Sequence, residues 1–371
     1  MHDFLIRALA SAAAIAALSS VASADTIRAT SGFGPAHFFA TDVYPTLFKK
    51  LEELTDGRWT GQDTPSGLVS AAEMNTALRD GVSELGAVIL PYFAADYPES
   101  LLPAELSIIG TNPRAISSAV TEYIVTCEEC LAEFSRGGQV YLGTDTTAIY
   151  QFLSRVPMRN TDEVKGVRIR TGGPVFARFV EQVGGIPVQM PISEIFESMS
   201  QGTLDATFSS SPDLKNFRLN EVASYVVDVN FGVFNSGAIM NASQTLWQRM
   251  SVEDREALVK ASQHAYARSL ELWHTQDAVA RKESAEAGIE FIPADASIEA
   301  AKKAFTEQHL AGVGAILEGR GIKNAPDKVG RYLALVEKWH GLIGEDMSTE
   351  EFGELRYREI WSKLDFSTFG S

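Results

Sequence analysis

Arg170 is the residue whose type and setting best suit it to chemistry. It ends the short β-branched run Val164-Lys-Gly-Val-Arg-Ile-Arg170 and meets the turn Thr171-Gly-Gly-Pro174. A guanidinium so placed is delivered to the end of a strand, where open α/β sheets take their ligands, rather than to an open helix face. Its planar fork matches the oxygens of a carboxylate or sulfonate, and burial strengthens such pairs. The competing use is a structural ion pair with a nearby acid such as Glu194. Arg168, two residues back on the same side of the strand, is a weaker candidate because it sits deeper. The Tyr150 hydroxyl would assist Arg170 at the anion end, with ordinary sheet packing as an equal alternative. Phe33, Tyr92, Phe93, Phe231 and Phe234 fall at expected strand ends facing one cleft and, with Ile89, would wall it with apolar and aromatic surface. Singly, each is more often core. Ser209 opens the loop Ser209-Ser-Ser-Pro212 and would complete an anion cradle, although a plain loop explains it nearly as well. Gly173 and Asn235 complete the candidate set, and Asn241 reads as structural.

Other chemistries find no support in the chain. Its six histidines form no His-Glu-x-x-His, and no nucleophile elbow or phosphate-cradling glycine loop is present. No catalytic residue, metal or cofactor is therefore expected, and the protein is not read as an enzyme. The two cysteines, Cys127 and Cys130, fall inside a run from Ala115 to Phe134 that reads as helical. An oxidising compartment favours joining them as a disulfide. Redox catalysis is disfavoured because the intervening Glu128 and Glu129 raise a thiolate's pKa, and zinc would need two more ligands. In mid-helix an i, i+3 pair is too far apart for a relaxed disulfide, so bonding requires a helix end or a local distortion; the pairing stays open at this level.

The positioning elements follow from pattern. After Arg170 come a helix from Val175 to Gly184, a strand from Pro187 to Met190, a helix from Ser193 to Gln201 and a strand from Leu204 to Phe208, which together imply parallel crossover units. Earlier, a strand at Thr26 to Ala29 leads through Ser31-Gly-Phe-Gly-Pro-Ala-His37 into a helix from about Phe38 to Thr55. A strand near Trp59, a helix from Ala71 to Asp80 and a strand from Leu85 to Leu90 repeat the architecture. The stretch Gln139 to Thr144 reads as a strand leading to the first crossing between lobes, and Phe231 to Ala242 as the return. Ser251-Val-Glu-Asp254 is a helix start with acidic residues in the first turn, and the helical pattern runs on to about Ala287. At about 1.5 Å per residue it would span about 55 Å, longer than one small domain is wide. Its apolar positions Leu258, Ala261, Ala265, Leu270 and Trp273 hold no clean heptad, so a brace along both lobes explains it better than a coiled coil. The tail from Ile298 reads as further helices.

Arg7 opens an alanine-rich apolar run that ends in Val-Ala-Ser-Ala24, a secretion signal with a cleavage site before Asp25. No other apolar run is long enough to span a membrane, so no stable membrane insertion is expected once the signal is removed. With 371 residues the mature chain has room for two compact domains. The net charge of −16, without a basic cluster, excludes a nucleic-acid partner and an anionic membrane surface. That acidity also opposes an anionic ligand at long range, so an anion site must win locally through a partly desolvated arginine.

The block Lys165-Gly-Val-Arg-Ile-Arg170, followed by Glu194-Ile-Phe-Glu-Ser-Met-Ser-Gln-Gly202-Thr-Leu-Asp205, resembles the solute-binding proteins of tripartite ATP-independent periplasmic (TRAP) transporters. Members carry a Lys-Gly-x-Lys-x-Arg strand and a Glu-x-x-x-Ala-Leu-x-x-Gly-x-x-Asp helix and strand at this spacing. The resemblance covers nearly all of the mature chain, strongest from Pro65 to Phe93 and from Val164 to Asp205. It implies an α/β, two-lobe periplasmic binding protein (type II-like) with a long helix spanning both lobes. Residues 1–24 would be the signal peptide, 25–148 with 237–275 lobe I, and 149–236 with 276–371 lobe II and the C-terminal helices. It further implies a periplasmic location, membrane transporter subunits as partners, and a ligand carboxylate on Arg170. The chain departs from the family where many members have a second arginine, here Ala148-Ile-Tyr150. Gly173 and Ser209 stand where amides are common, and Ile89 near a position that can be acidic. These changes favour a monoanionic organic acid, a monocarboxylate or sulfonate with an apolar or aromatic body, captured in the interlobe cleft. A periplasmic enzyme or a sensory ligand-binding protein acting on a small organic acid is the alternative.

Overall fold

The computed structural model describes residues 24–370, so the expected signal segment lies, but for Ala24, outside the described residues. The strands, in chain order, are β1 (Asp25–Thr30), β2 (Trp59–Asp63), β3 (Leu85–Ile89), β4 (Gln139–Val140), β5 (Gln151–Ser154), β6 (Arg168–Thr171), β7 (Ile186–Gln189), β8 (Ala206–Ser209), β9 (Tyr225–Asp228), β10 (Gly237–Ser243) and β11 (Glu290–Pro293). They form a five-stranded sheet of order β2-β1-β3-β10-β4 and a six-stranded sheet of order β11-β9-β5-β8-β6-β7. β6 runs parallel to both β7 and β8, as crossover units require. The chain passes from the first sheet to the second between β4 and β5 and returns between β9 and β10. The two crossing segments are tied together by isolated bridges, Asp145 to Gly237 and Ile149 to Val233.

The long helix is continuous from Val252 to Glu286. It starts where Ser251 accepts a hydrogen bond from the Asp254 amide at 3.1 Å, satisfying one of the free N–H groups of the first turn. Leu258, Ala261, Ala265, Leu270 and Trp273 are all buried. Near its start Arg58 pairs with Asp254 at 2.8 Å, and near its end Arg281 pairs with Asp228 at 2.7 Å and Lys215 with Glu283 at 2.6 Å. The helix therefore braces elements of both sheets. Among the described residues no helix is long and apolar enough to cross a membrane.

Three expectations change. The run Ala115 to Phe134 is two helices, Pro113–Val125 and Glu128–Arg136, because Cys127 adopts an extended backbone (φ −115°, ψ 106°) as the cap of the second. That break supplies the helix end that a Cys127–Cys130 bond requires, and the two sulfurs are bonded. The tail does not stay with the second sheet. The helix Thr349–Glu359 packs on the long helix, and Arg356 is buried there against Ser117, Thr121 and Gln263. Trp247 then donates to the Phe369 carbonyl at 2.9 Å, closing the chain's end onto the first sheet's side. Finally, β9 and β11, which pair with each other at the end of the second sheet, correspond to no expected strand.

Candidate functional site

Arg170 pairs across β6 with Val188 on β7 and Thr207 on β8, so its side chain leaves the sheet two residues before the Gly172-Gly173 turn. It is only 2% exposed. Its Nε donates to the Met190 carbonyl at 3.1 Å, Nη1 to the Phe208 carbonyl at 3.5 Å and Nη2 to the Tyr92 hydroxyl at 3.4 Å. Two of these are at the limit of hydrogen-bond length, and no carboxylate forms an ion pair with Arg170 among the described residues. Glu194, the expected competitor, is exposed. Arg168 is spent on Asp205, with Nη2 at 2.6 Å from Oδ1, which lowers the Asp205 pKa.

Arg170 opens into a cavity between the two sheets, lined also by Phe33, Ile89, Tyr92, Tyr150 and Phe234. The structure thus brings together six of the residues singled out from sequence. Tyr150 stacks on Phe234 with ring centroids 6.0 Å apart. Gly172 abuts the point where they converge: a Cβ there would stand 3.4 Å from Arg170 Nη1 and from Phe234 Cδ2, and 3.5 Å from the Tyr150 hydroxyl. Burial pushes the Tyr150 phenol well up, against the pull of the Arg170 charge, so it stays a neutral donor.

The remaining expected residues do not line the cavity. Gly173 caps the helix Pro174–Gln182, and it is its neighbour Gly172 that lies against Arg170, Phe234 and Tyr150. Ser209 donates its hydroxyl to Asp213, and Ser210 adds an amide and a hydroxyl to the same carboxylate oxygen at 3.3 and 3.2 Å. The serine loop therefore cradles a protein carboxylate rather than presenting its hydroxyls to a ligand. Phe231 is fully buried against Phe152, Phe179 and Phe208. Asn235 is held by Ser107 and the Pro103 carbonyl at 2.7 and 3.0 Å. Phe93 is half-buried one residue beyond Tyr92 on a short 3-10 helix, Leu90–Phe93.

Sequence reasoning missed several walls of the cavity: His37, Asp145, Asp213, Phe217 and Trp273. Phe217, from the second sheet's side, meets Phe33 and His37 edge-on at 6.0 and 5.3 Å. Tyr92, from the first, accepts the Ile192 amide at 2.9 Å as well as the Arg170 guanidinium. The cleft is therefore bridged, with both lobes touching around the cavity. Asp145 is 3% exposed; its Oδ2 accepts from Trp273 Nε1 at 2.9 Å and Ser269 Oγ at 3.0 Å. Its Oδ1 has no partner at hydrogen-bond geometry among the described residues, although the Thr146 amide acts on the carboxylate as a donor that favours its charge. Burial raises this carboxyl to about 7, against the bonds from Trp273 and Ser269 and the charge of Arg356. Burial likewise raises Asp213 and lowers His37 to about 3. A polar Thr144-Asp-Thr-Thr147 run after a strand was the one sequence signal for Asp145; nothing local marked Trp273.

The arrangement can hold a small anion at Arg170 and an apolar body among aromatic rings. The sequence model of bacterial extracellular solute-binding protein family 7 matches residues 36–312. A curated relative, "Outer membrane transporter protein TsaT" of Comamonas testosteroni, is 24% identical over 295 residues, covering 77% of this chain and 85% of its own. A marine metagenome TRAP solute-binding protein specific for aromatic acid ligands, from an unidentified microbe, superposes with a TM-score of 0.75 at 18% identity, over 85% of this chain and 99% of that one. A TRAP solute-binding protein of Rhodoferax ferrireducens, in complex with copurified benzoate, gives 0.74 at 20%, over 86% and 99%.

Proposed function

Because the chain belongs to bacterial extracellular solute-binding protein family 7, the solute-binding proteins of TRAP transporters, we propose that it captures a small organic monoanion with an apolar or aromatic body in the cleft between its sheets. The carboxylate or sulfonate sits on Arg170, assisted by Tyr150, with Phe33, Phe234 and Ile89 around the body. The observation that carries this reading is a buried guanidinium in no ion pair among the described residues, two of its three bonds long, facing an aromatic-walled cavity. Among the described residues the lining holds no second arginine or lysine, which disfavours dicarboxylates. The ring-bearing acids of the two similar structures are consonant with it. Closure follows from differential contact: Arg170 and Ile192 on one side and Tyr92 on the other reach a ligand together only when the lobes meet, so the ligand favours the closed state. No bond is made or broken in this cycle. The closed protein would deliver its cargo in the periplasm to membrane subunits of the transporter.

A thermal-shift screen of organic acids, followed by calorimetry on the hits, tests the reading, since a ligand that binds the native state raises the melting temperature by mass action. Monocarboxylates or sulfonates should stabilise the wild-type protein and not Arg170→Ala. A stabilising set made up of neutral sugars or amines would refute it.

A further inference from the structure

Asp145 lines the cavity, and its Oδ1 is buried without a partner at hydrogen-bond geometry; such an oxygen is costly in an apolar surrounding, which favours a ligand that brings it a donor. The other carboxylate oxygen is committed to Trp273 and Ser269, which fixes the group's orientation. His37 stands on the same side, its ring centroid 6.2 Å from that of Trp273. Its Nδ1 accepts the Phe39 amide at 3.1 Å. Burial keeps the imidazole neutral, so its one proton is on Nε2. That N–H bonds to no protein atom among the described residues, and His37 too lines the cavity. Asp213 Oδ1, the other unpartnered carboxylate oxygen of the lining, belongs to a group under the charge of Arg170; apart from that end, Asp145 Oδ1 is a free acceptor and His37 Nε2–H a free donor.

Resting on the function proposed above, we infer that these two groups form a hydroxyl subsite, with Asp145 Oδ1 accepting from and His37 Nε2–H donating to a hydroxyl on the bound acid, so that the preferred ligand is a hydroxylated aromatic monocarboxylate. A hydroxyl is the small group that donates and accepts at once. An ammonium would satisfy Asp145 but oppose the His37 N–H, and a second carboxylate would face Asp145 with like charge. An ether or a bare ring leaves the carboxylate oxygen unpaired. The design explains why a charged residue is kept among aromatic rings in a site that needs only one cation to hold its anion.

Calorimetric titration of the full mature chain at pH 8 with benzoate, 3- and 4-hydroxybenzoate, their methyl ethers and 3-(aminomethyl)benzoate tests this. At least one hydroxybenzoate should bind about 10- to 100-fold more tightly than benzoate, as expected for a hydrogen bond to a charged group. Its methyl ether should lose that gain. Asp145→Asn and His37→Phe, checked for folding by circular dichroism, should each shrink the ratio towards one. Equal affinity for benzoate and both hydroxybenzoates, or an ether that keeps the gain, would overturn the subsite while leaving the Arg170 reading intact. Tighter binding of the aminomethyl acid than of either hydroxy acid would overturn the hydroxyl assignment. If none of these acids binds the wild-type protein, the anion reading fails and the subsite fails with it. The wild-type series decides the question even if a variant does not fold.

Discussion

Replacing Asp145 with Asn in the ligand-free protein should stabilise it at pH 8 and leave it nearly unchanged at pH 4. The side chain keeps its shape, and Asn Oδ1 can still accept from Trp273 and Ser269. What changes is the charge. Burial, as the dominant cause, raises the folded carboxyl from 3.8 to about 7. Between those values the folded state holds a proton that the unfolded state has lost, so stability is greatest below the unfolded pKa and falls as pH rises through about 7, beyond which it is level. About three pH units at about 1.36 kcal/mol each give an upper value of about 4 kcal/mol. Asn does not titrate, so the variant escapes that loss, while Asp213 and His37 titrate alike in both proteins and cancel in the difference. The assay is urea unfolding of both proteins at pH 5, 6, 7 and 8. The advantage of Asn over Asp should widen by about 3 kcal/mol from pH 5 to pH 8. A difference that does not vary with pH, or one that favours Asp at pH 8, would refute the claim that this carboxyl is desolvated in the empty cleft.

Arg170→Ala should weaken binding of any acid hit at least about 100-fold, whereas Tyr150→Phe, which removes one neutral hydroxyl, should lose about 10-fold; calorimetry giving the opposite order would place the anion elsewhere. Gly172→Ala puts a methyl in ordinary contact with Arg170 Nη1, Phe234 and the Tyr150 hydroxyl, so its melting temperature should barely move while affinity drops about 10-fold or more, with unchanged affinity refuting the placement of the anion. Arg356→Ala should destabilise the protein by about 3 kcal/mol or more, because it removes a buried guanidinium that donates to Gln263, Ser117 and Thr121 at 3.0, 2.5 and 2.9 Å and leaves a cavity under the C-terminal helix. A loss below about 1 kcal/mol in urea unfolding would mean the tail docks without it.

The sequence alone carried the elements whose rules are local. Period and turn chemistry placed β1, β3, β6 and β8, the Ser251 cap placed the start of the long helix, and a strand ending in a glycine turn marked Arg170. Those signals survive because a strand's alternation or a helix's first turn is set by neighbours a few residues away. Local rules also explain two differences: a single backbone departure at Cys127 split one helical run in two, and at the turn after β6 it is Gly172, one residue before Gly173, that lies against Arg170 and Tyr150. The cavity's composition was decided elsewhere. His37, Asp145 and Trp273 meet because the crossing segments pair, Asp145 with Gly237, and the long helix lies across both sheets. Ser209 and Phe231, equally good candidates by type, were turned to Asp213 and to the aromatic core by packing. Pairwise approach of residues more than a hundred positions apart depends on strand order and on which side chains reach partners first, and neither is written in any one stretch of the chain.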